Sequence, residues 1–250
     1  MFDLHMHSIY SDGENPPEEM IEEGIRLGLS CIGLSDHSHA DWDDAGMKTS
    51  MIEAYRQKLA GLKTSYTGRI RVLCGLERDY YSDDFRTYDY VIGSVHAVRM
   101  PDGVFFCIDW DPKGMEEKVR TYFDGDWYAL TEAYFRLEAD VVTRTKCDII
   151  GHFDLVSKFN EQHRWFDPCH PRYRKAWQQA ADCLLRTGKI FEVNTGAISR
   201  GYRTDAYPAK EIRDYLRERG GKLILSSDAH RRENICFRFE QFLSELVPHI

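Results

Sequence analysis

The sequence predicts an α/β fold built on a parallel sheet, either closed as a barrel or doubly wound. Two observations carry that reading. Short β-type runs alternate with amphipathic helical stretches about seven times along 250 residues, and glycine or proline marks most of the boundaries. No Pro/Ser-rich linker, internal repeat or low-complexity tract divides the chain, so residues 1–250 read as one domain.

The first run spans 2–6. A helix over 17–27 follows, with Asn15 or Pro16 near its start and Gly28 just past its end, as caps require. A run at 31–34 precedes apolar residues at helical spacing over 53–63, and runs at 71–76 and 90–95 come next. The segment 99–126 contains Pro101-Asp102-Gly103 and Asp111-Pro112 and reads as an irregular insertion; in a barrel such insertions shape the pocket. Helices are predicted over 127–145, 173–186, 209–219 and 239–246, with runs at 148–151, 190–193 and 222–225 between them. Gly188 and Gly220-Gly221 supply C-terminal stops.

Composition narrows the function. Hydrophobic residues make up 42% and charged residues 30%, with 18 Gly and 8 Pro, which excludes disordered, collagenous and coiled-coil chains. The net charge of −8 argues against a broad phosphate-tracking face, so no nucleic-acid partner is expected. A small anionic substrate held by a few local cations remains compatible with it. Apolar runs fall far short of the ~20 residues that span a bilayer, so no membrane partner is expected either. The opening residues show no basic and apolar leader, and seven cysteines occur without a C-x-x-C pair; reduced, mostly buried thiols in a cytoplasmic chain are the expectation.

The placement of the ten histidines says more. His5 and His7 close the first run, His37 follows the second, Glu77 ends the third, His96 the fourth and His152 the fifth. Asp228 and His230 follow the seventh. Six strand ends thus deliver imidazole or carboxylate to one rim, the face of a parallel barrel where catalytic groups gather. In His5-Met6-His7 the two rings point the same way and can reach one ion. Imidazole with carboxylate and no thiolate suits Zn, Mn or Fe. A bridging carboxylate such as Glu77 would let neighbouring ions share a ligand at the ~3.5–4 Å spacing of multi-metal hydrolytic sites. One strand-end His is more often a hydrogen-bonded structural residue; six such ends together point to metal. His39, His163, His170 and His249 fall in loops or the tail and are expected at the surface.

His5-Met6-His7-Ser8 is followed by Ser11-Asp12-Gly13, Ser35-Asp36-His37, Gly75-Leu76-Glu77, Gly93-Ser94-Val95-His96, Gly151-His152 and Ser227-Asp228-Ala229-His230. With these motifs, in family order and over essentially the whole chain, the sequence resembles the PHP (polymerase and histidinol phosphatase) family. Tyr90-Val91-Ile92-Gly93, Ile149-Ile150-Gly151-His152-Phe153-Asp154-Leu155 and Glu192-Val193-Asn194-Thr195 resemble its histidinol-phosphatase branch. The resemblance implies a distorted, TIM-like (β/α)7 barrel with two or three divalent metal ions at the C-terminal rim of its strands. Carried over position by position, His5, His7, Glu77 and Asp228 would hold one ion. Glu77, His96 and His152 would hold a second, and Asp12, His37 and His230 a third. Asp12 stands where many members of the branch have His; a carboxylate still ligates well, although Ser-Asp-Gly is also a common turn sequence.

The implied activity is hydrolysis of a small phosphomonoester, L-histidinol phosphate, to L-histidinol and phosphate, a step of histidine biosynthesis. A hydroxide held between two ions would attack phosphorus in line, since coordination lowers the pKa of water towards neutrality. Asp228 and His230 are the nearest groups to protonate the leaving alkoxide. Beyond the metals, phosphate is expected to meet Arg200 and Arg203, in the loop after the sixth run, and Lys158. Phe105, Phe106, Trp110 and Trp127 either wall the pocket around an imidazole or pack in the core. No C-x5-R loop is present, which excludes a cysteine-dependent phosphatase. The rivals on this scaffold are a phosphoesterase acting on nucleotides or other phosphate esters, and a non-catalytic metal-binding PHP module.

Overall fold

The computed structural model describes residues 1–246. β1 (Phe2–Asp3) is followed by α1 (Pro17–Arg26), β2 (Cys31–Leu34), α2 (Ile52–Ser65) and β3 (Arg71–Asp79). β4 (Tyr90–Ser94) leads into a hairpin, β5 (Ala97–Arg99) and β6 (Phe105–Cys107), and then into α3 (Pro112–Phe123), α4 (Trp127–Glu138) and α5 (Val141–Thr145). After β7 (Ile149–Ile150) come α6 (Asn160–His163), α7 (Pro171–Leu185) and β8 (Ile190–Asn194). The one-turn α8 (Gly196–Ser199), α9 (Lys210–Glu218), β9 (Lys222–Ser226) and α10 (Phe239–Phe242) complete the chain.

Seven strands form one parallel sheet in the order β1-β2-β3-β4-β7-β8-β9. Its two edges meet just beyond their last paired residues. Met6 bridges Ala229, and the His7 amide donates to the Ala229 carbonyl at 2.9 Å. The buried Asp3 carboxylate braces the same seam by accepting from the amides of Ser227 and Cys236, each at 3.2 Å. Of the two forms open to a parallel sheet, the nearly closed barrel is the one adopted.

Period-2 alternation decides what faces where. On β3, Val72, Cys74 and Leu76 pack against Met20 and Ile21 of α1 and Tyr55 and Leu59 of α2. The other face of β3 looks into the barrel. There Tyr90, Ile92 and Ile149 pack with Leu4, Leu73 and Ile224, each large apolar side chain worth roughly 1.5–3 kcal/mol of burial. Tyr90 spans this interior and donates to the Leu4 carbonyl at 2.5 Å. A Cβ on Gly33 or Gly75 would come within 2.3 or 2.2 Å of its phenol, so both positions need glycine for close approach. A larger apolar cluster joins α4 and α7 to the sheet through Tyr134, Phe135, Trp177 and Phe191.

Four elements differ from expectation. The run at 2–6 pairs as a strand only over Phe2–Asp3; further on, Met6 bridges Ala229 while its carbonyl accepts from Ser35 N at 2.9 Å. The helix over 127–145 breaks at Ala139-Asp140, where Asp140 turns outward to accept from the Tyr80 hydroxyl at 3.2 Å. The last helix is a single turn followed by a 3₁₀ turn, Leu243–Glu245. The insertion is ordered: Val98 pairs with Phe106 across the hairpin, and Asp111 caps α3 by accepting from Gly114 N at 2.7 Å. All seven cysteines are free, but only Cys74 and Cys147 are buried; Cys169 is exposed and the others are half-buried at element margins. Among the described residues no helix is long and apolar enough to cross a membrane.

Candidate metal centre and active site

Glu77 is the hub of the rim. It sits near the end of β3, buried, with five imidazoles around its carboxylate. Oε2 faces His37 Nδ1 at 2.8 Å, His5 Nε2 at 3.2 Å and His7 Nε2 at 3.5 Å. Oε1 faces His152 Nε2 at 3.0 Å and His96 Nε2 at 3.3 Å. Asp228 Oδ1 closes the group from the seam side, 3.2 Å from His7 Nε2 and 3.8 Å from His5 Nε2. Asp228 takes a left-handed backbone (φ 49°), which Asp tolerates better than most residues and which aims its carboxylate inward. Asp12 joins from the loop after β1, with Oδ2 3.2 Å from His230 Nε2 and Oδ1 3.7 Å from His37 Nε2. All nine ligand-type residues singled out from the sequence therefore converge.

Their donor atoms form three overlapping groups: His5, His7 and Asp228; His37, Glu77 and His96; and His7, Asp12, His37 and His230. His7 and His37 each belong to two, so the partition differs in detail from the one carried over by resemblance. His5 Nε2, both nitrogens of His7 and Glu77 Oε2 are buried without a hydrogen-bond partner. Such atoms cost about 1–3 kcal/mol each when left so, and a divalent cation is the partner that nitrogen and oxygen donors at this spacing fit. For His7 and Glu77 electrostatics agree. Burial, helped by His230 and His37, lowers His7 to about 3 and keeps it neutral, the form that ligates. Burial opposes protonation of His37 as well, but Glu77 and Asp12 outweigh it and push that ring up to about 9. The surrounding imidazoles, against the effect of burial, hold Glu77 well below the usual carboxylate range.

Three buried carboxylates with no role in the sequence reading orient these groups. Glu192 Oε2 lies 2.8 Å from His5 Nδ1, and its Oε1 accepts from the His152 amide at 2.5 Å. Asp79 Oδ2 lies 3.2 Å from His96 Nδ1. Asp36 accepts from the amides and hydroxyls of both Ser8 and Ser11, at 2.7 to 3.1 Å, and so fixes the loop that carries Asp12. A signal existed for Glu192, an acid on an otherwise apolar strand at the same parity as Asn194.

The rim opens into a cavity of about 320 Å³. Arg200 and Lys158 line it. Arg200 Nη2 pairs with Asp228 Oδ2 at 3.1 Å, and its Nη1 lies 2.9 Å from His230 Nδ1. Lys158 Nζ donates to the Asp109 carbonyl at 2.8 Å and sits 4.8 Å from the centroid of Tyr202. Arg203 does not share this placement. Its Nη1 donates to Ser157 Oγ at 2.6 Å and lies 3.5 Å from Asp154 Oδ2, with the guanidinium over Tyr207, so it ties the loop to the body. The aromatic set divides as well: Trp110 lines the cavity, Phe105 stacks on Trp42, Phe106 is core, and Trp127 stacks on Trp165. His39 is bound to Asp41 and Met47, and His170 caps α7. The His163 side chain and His249 lie outside the described residues.

A family model for the PHP domain matches residues 3–196. The chain belongs to the PHP family. Across nearly its full length this PHP chain is similar to curated proteins. It is 25% identical to the histidinol-phosphatase of Bacillus subtilis, over 96% of this chain and 97% of that one. It is 28% identical to a probable histidinol-phosphatase of Deinococcus radiodurans, over 98% and 92%. A solved histidinol phosphate phosphatase of Lactococcus lactis, complexed with zinc, L-histidinol and phosphate, superposes with a TM-score of 0.74 at 20% identity, covering 98% of this chain and 92% of that one. At that identity the likeness shows the barrel fold.

Proposed function

We propose that this PHP protein hydrolyses L-histidinol phosphate to L-histidinol and phosphate, the reaction named for its full-length relatives and a step of histidine biosynthesis. The observation that carries the reading is the Glu77 hub, a buried carboxylate faced by five imidazoles beside a cavity that also holds Arg200 and Lys158. His5, His7, Asp12, His37, Glu77, His96, His152, Asp228 and His230 would hold two or three ions of Zn, Mn or Fe. When bound, such ions supply Lewis acidity that activates water and neutralises phosphoryl charge.

The chain's own groups do the rest. Arg200 is fixed at the cavity wall by Asp228 and offers its guanidinium to a phosphoryl oxygen. Lys158 is held by the Asp109 carbonyl and adds a second positive charge. Of the two candidates His230 is assigned the proton for the leaving alkoxide; Arg200 and the neighbouring imidazoles, against burial, hold Asp228 ionised, so it has none to give. Arg200 Nη1 and the Asp228 carbonyl both lie against His230 Nδ1, at 2.9 and 3.0 Å, and so orient the ring with Nε2 towards Asp12.

The test is phosphate release from L-histidinol phosphate by chelator-stripped protein resupplied with Zn, Mn or Fe, beside nucleotides and other phosphomonoesters. Selective, metal-dependent turnover supports the reading. Turnover spread evenly over the panel overturns the substrate, and none on any ester overturns the enzyme.

A further inference from the structure

Part of the cavity lining comes from outside the histidine cluster. The hairpin β5–β6 runs on into Asp109 and Trp110, and the loop after β2 brings Trp42 and Asp43 into the same lining. The two segments are joined, because the Trp42 ring stacks on Phe105 with centroids 5.2 Å apart and planes 13° from parallel. Both carboxylates lie near the Cys107 thiol, which burial and then Asp109 and Asp43 push up to about 11. Neither acid takes part in the ion pairs of the Glu77 hub.

This wall carries polar groups with few partners: Asp43 Oδ1 accepts from the Ala45 amide at 2.9 Å, and no ion pair is formed by Asp43 among the described residues. Among the described residues, the one ion pair of the Asp109 carboxylate is with Lys158 Nζ at 3.5 Å, and that ammonium has its shorter bond to the Asp109 carbonyl. Trp110 is 65% exposed at the mouth. The Trp42 indole N–H is buried without an acceptor. Two carboxylates sharing a cavity with a phosphate-binding centre repel a substrate that is anionic throughout. They attract one that carries a positive charge on its leaving group, so the same pair both recruits and excludes.

We propose that Asp109 and Asp43 hold a cationic amine of the leaving group while Trp110 covers the flat ring beside it, so that the pocket selects zwitterionic aminoalkyl phosphates. The inference deepens the proposed function and rests on it. It assigns specificity to the insertion and not to the metal-facing side chains.

The experiment compares kcat/KM on the metal-loaded protein for pairs in which one leaving group carries a cationic amine and the other is neutral: L-histidinol phosphate against p-nitrophenyl phosphate, and O-phosphoethanolamine against n-propyl phosphate. Asp109→Asn keeps the backbone carbonyl that holds Lys158. It should lower the cationic-to-neutral ratio of both pairs roughly 10- to 100-fold, the loss of one charge-assisted contact. Asp43→Asn should act in the same direction, and Trp110→Ala should raise KM for histidinol phosphate more than it lowers kcat. Ratios that stay unchanged, or variants that slow all four esters in parallel, overturn the proposal. A wild type that favours phosphoethanolamine over propyl phosphate yet ignores histidinol phosphate refutes the parent reading and leaves the acidic wall supported.

Discussion

His96 and Asp109 line the same cavity but come from different kinds of structure. His96 follows β4, a buried central strand whose neighbours β3 and β7 fix its register and whose alternation decides which side chains look inward. Asp109 follows β6, a three-residue strand in a two-stranded hairpin anchored by apolar contacts such as Phe106. The strand ends deliver a fixed constellation of donors, whereas the insertion supplies a wall whose shape depends on loop packing. On the reading proposed above, chemistry sits on the rigid rim and selectivity on the connections.

The sharpest way to break that contrast is at Glu77. Glu77→Ala removes the one carboxylate shared by five imidazoles, and turnover of any phosphate ester should fall on the order of 10³-fold or more. Bound metal, counted by mass spectrometry, should fall with it. An alanine variant that keeps both its metal content and its rate would disprove the hub.

Glu192→Gln probes the layer behind the rim. Removing the charge that faces His5 should weaken metal binding about 10- to 100-fold, with activity recovered at excess metal. Metal titration followed by activity separates this from misfolding, in which added metal restores nothing.

The two arginines of one loop give a smaller and more diagnostic difference. Arg200→Ala should lower kcat/KM roughly 10- to 100-fold, the loss of a charge-assisted contact to phosphate. Arg203→Ala should act on melting temperature instead, because it leaves the buried Asp154 carboxylate without its ion pair. Equal kinetic losses for the two would return Arg203 to the phosphate site.

The rim was legible in the sequence because strand ends repeat a simple geometric rule. His5 and His7 share a face by parity, His96 and His152 stand directly after the runs at 90–95 and 148–151, and His37 stands three residues past the run at 31–34. Glu192 was missed because its one signal, an acid in an otherwise apolar strand, does not say what it binds; its role depends on His5, which lies across the barrel. Arg200 and Arg203 are indistinguishable in sequence, and only the turn at α8 separates them. The order within the insertion was hidden for a similar reason. The three-residue strands β5 and β6 are too short to show alternation, and it is the pairing of one with the other that defines them.

A last comparison sets Glu77 against Glu138, two buried carboxylates with opposite surroundings. Imidazoles hold the first ionised. The second, at the end of α4, meets the Tyr134 hydroxyl at 2.7 Å, while its Oε2 has no partner. Burial is the dominant influence there and raises its pKa well above 4.5. The sign follows from linkage: below 4.5 both folded and unfolded chains carry the proton, and the group costs nothing. As pH rises, the unfolded chain ionises freely while the folded one cannot, so stability declines until the folded pKa is reached. Glu138→Gln removes that titration and should raise the melting temperature near neutral pH, by roughly 2–4 °C for each kcal/mol recovered, with the gain vanishing on the acid side of 4.5. Melting curves across pH at constant metal loading read this directly. A variant less stable than the wild type near neutrality, or one whose gain does not depend on pH, would show that Glu138 is ionised in the fold.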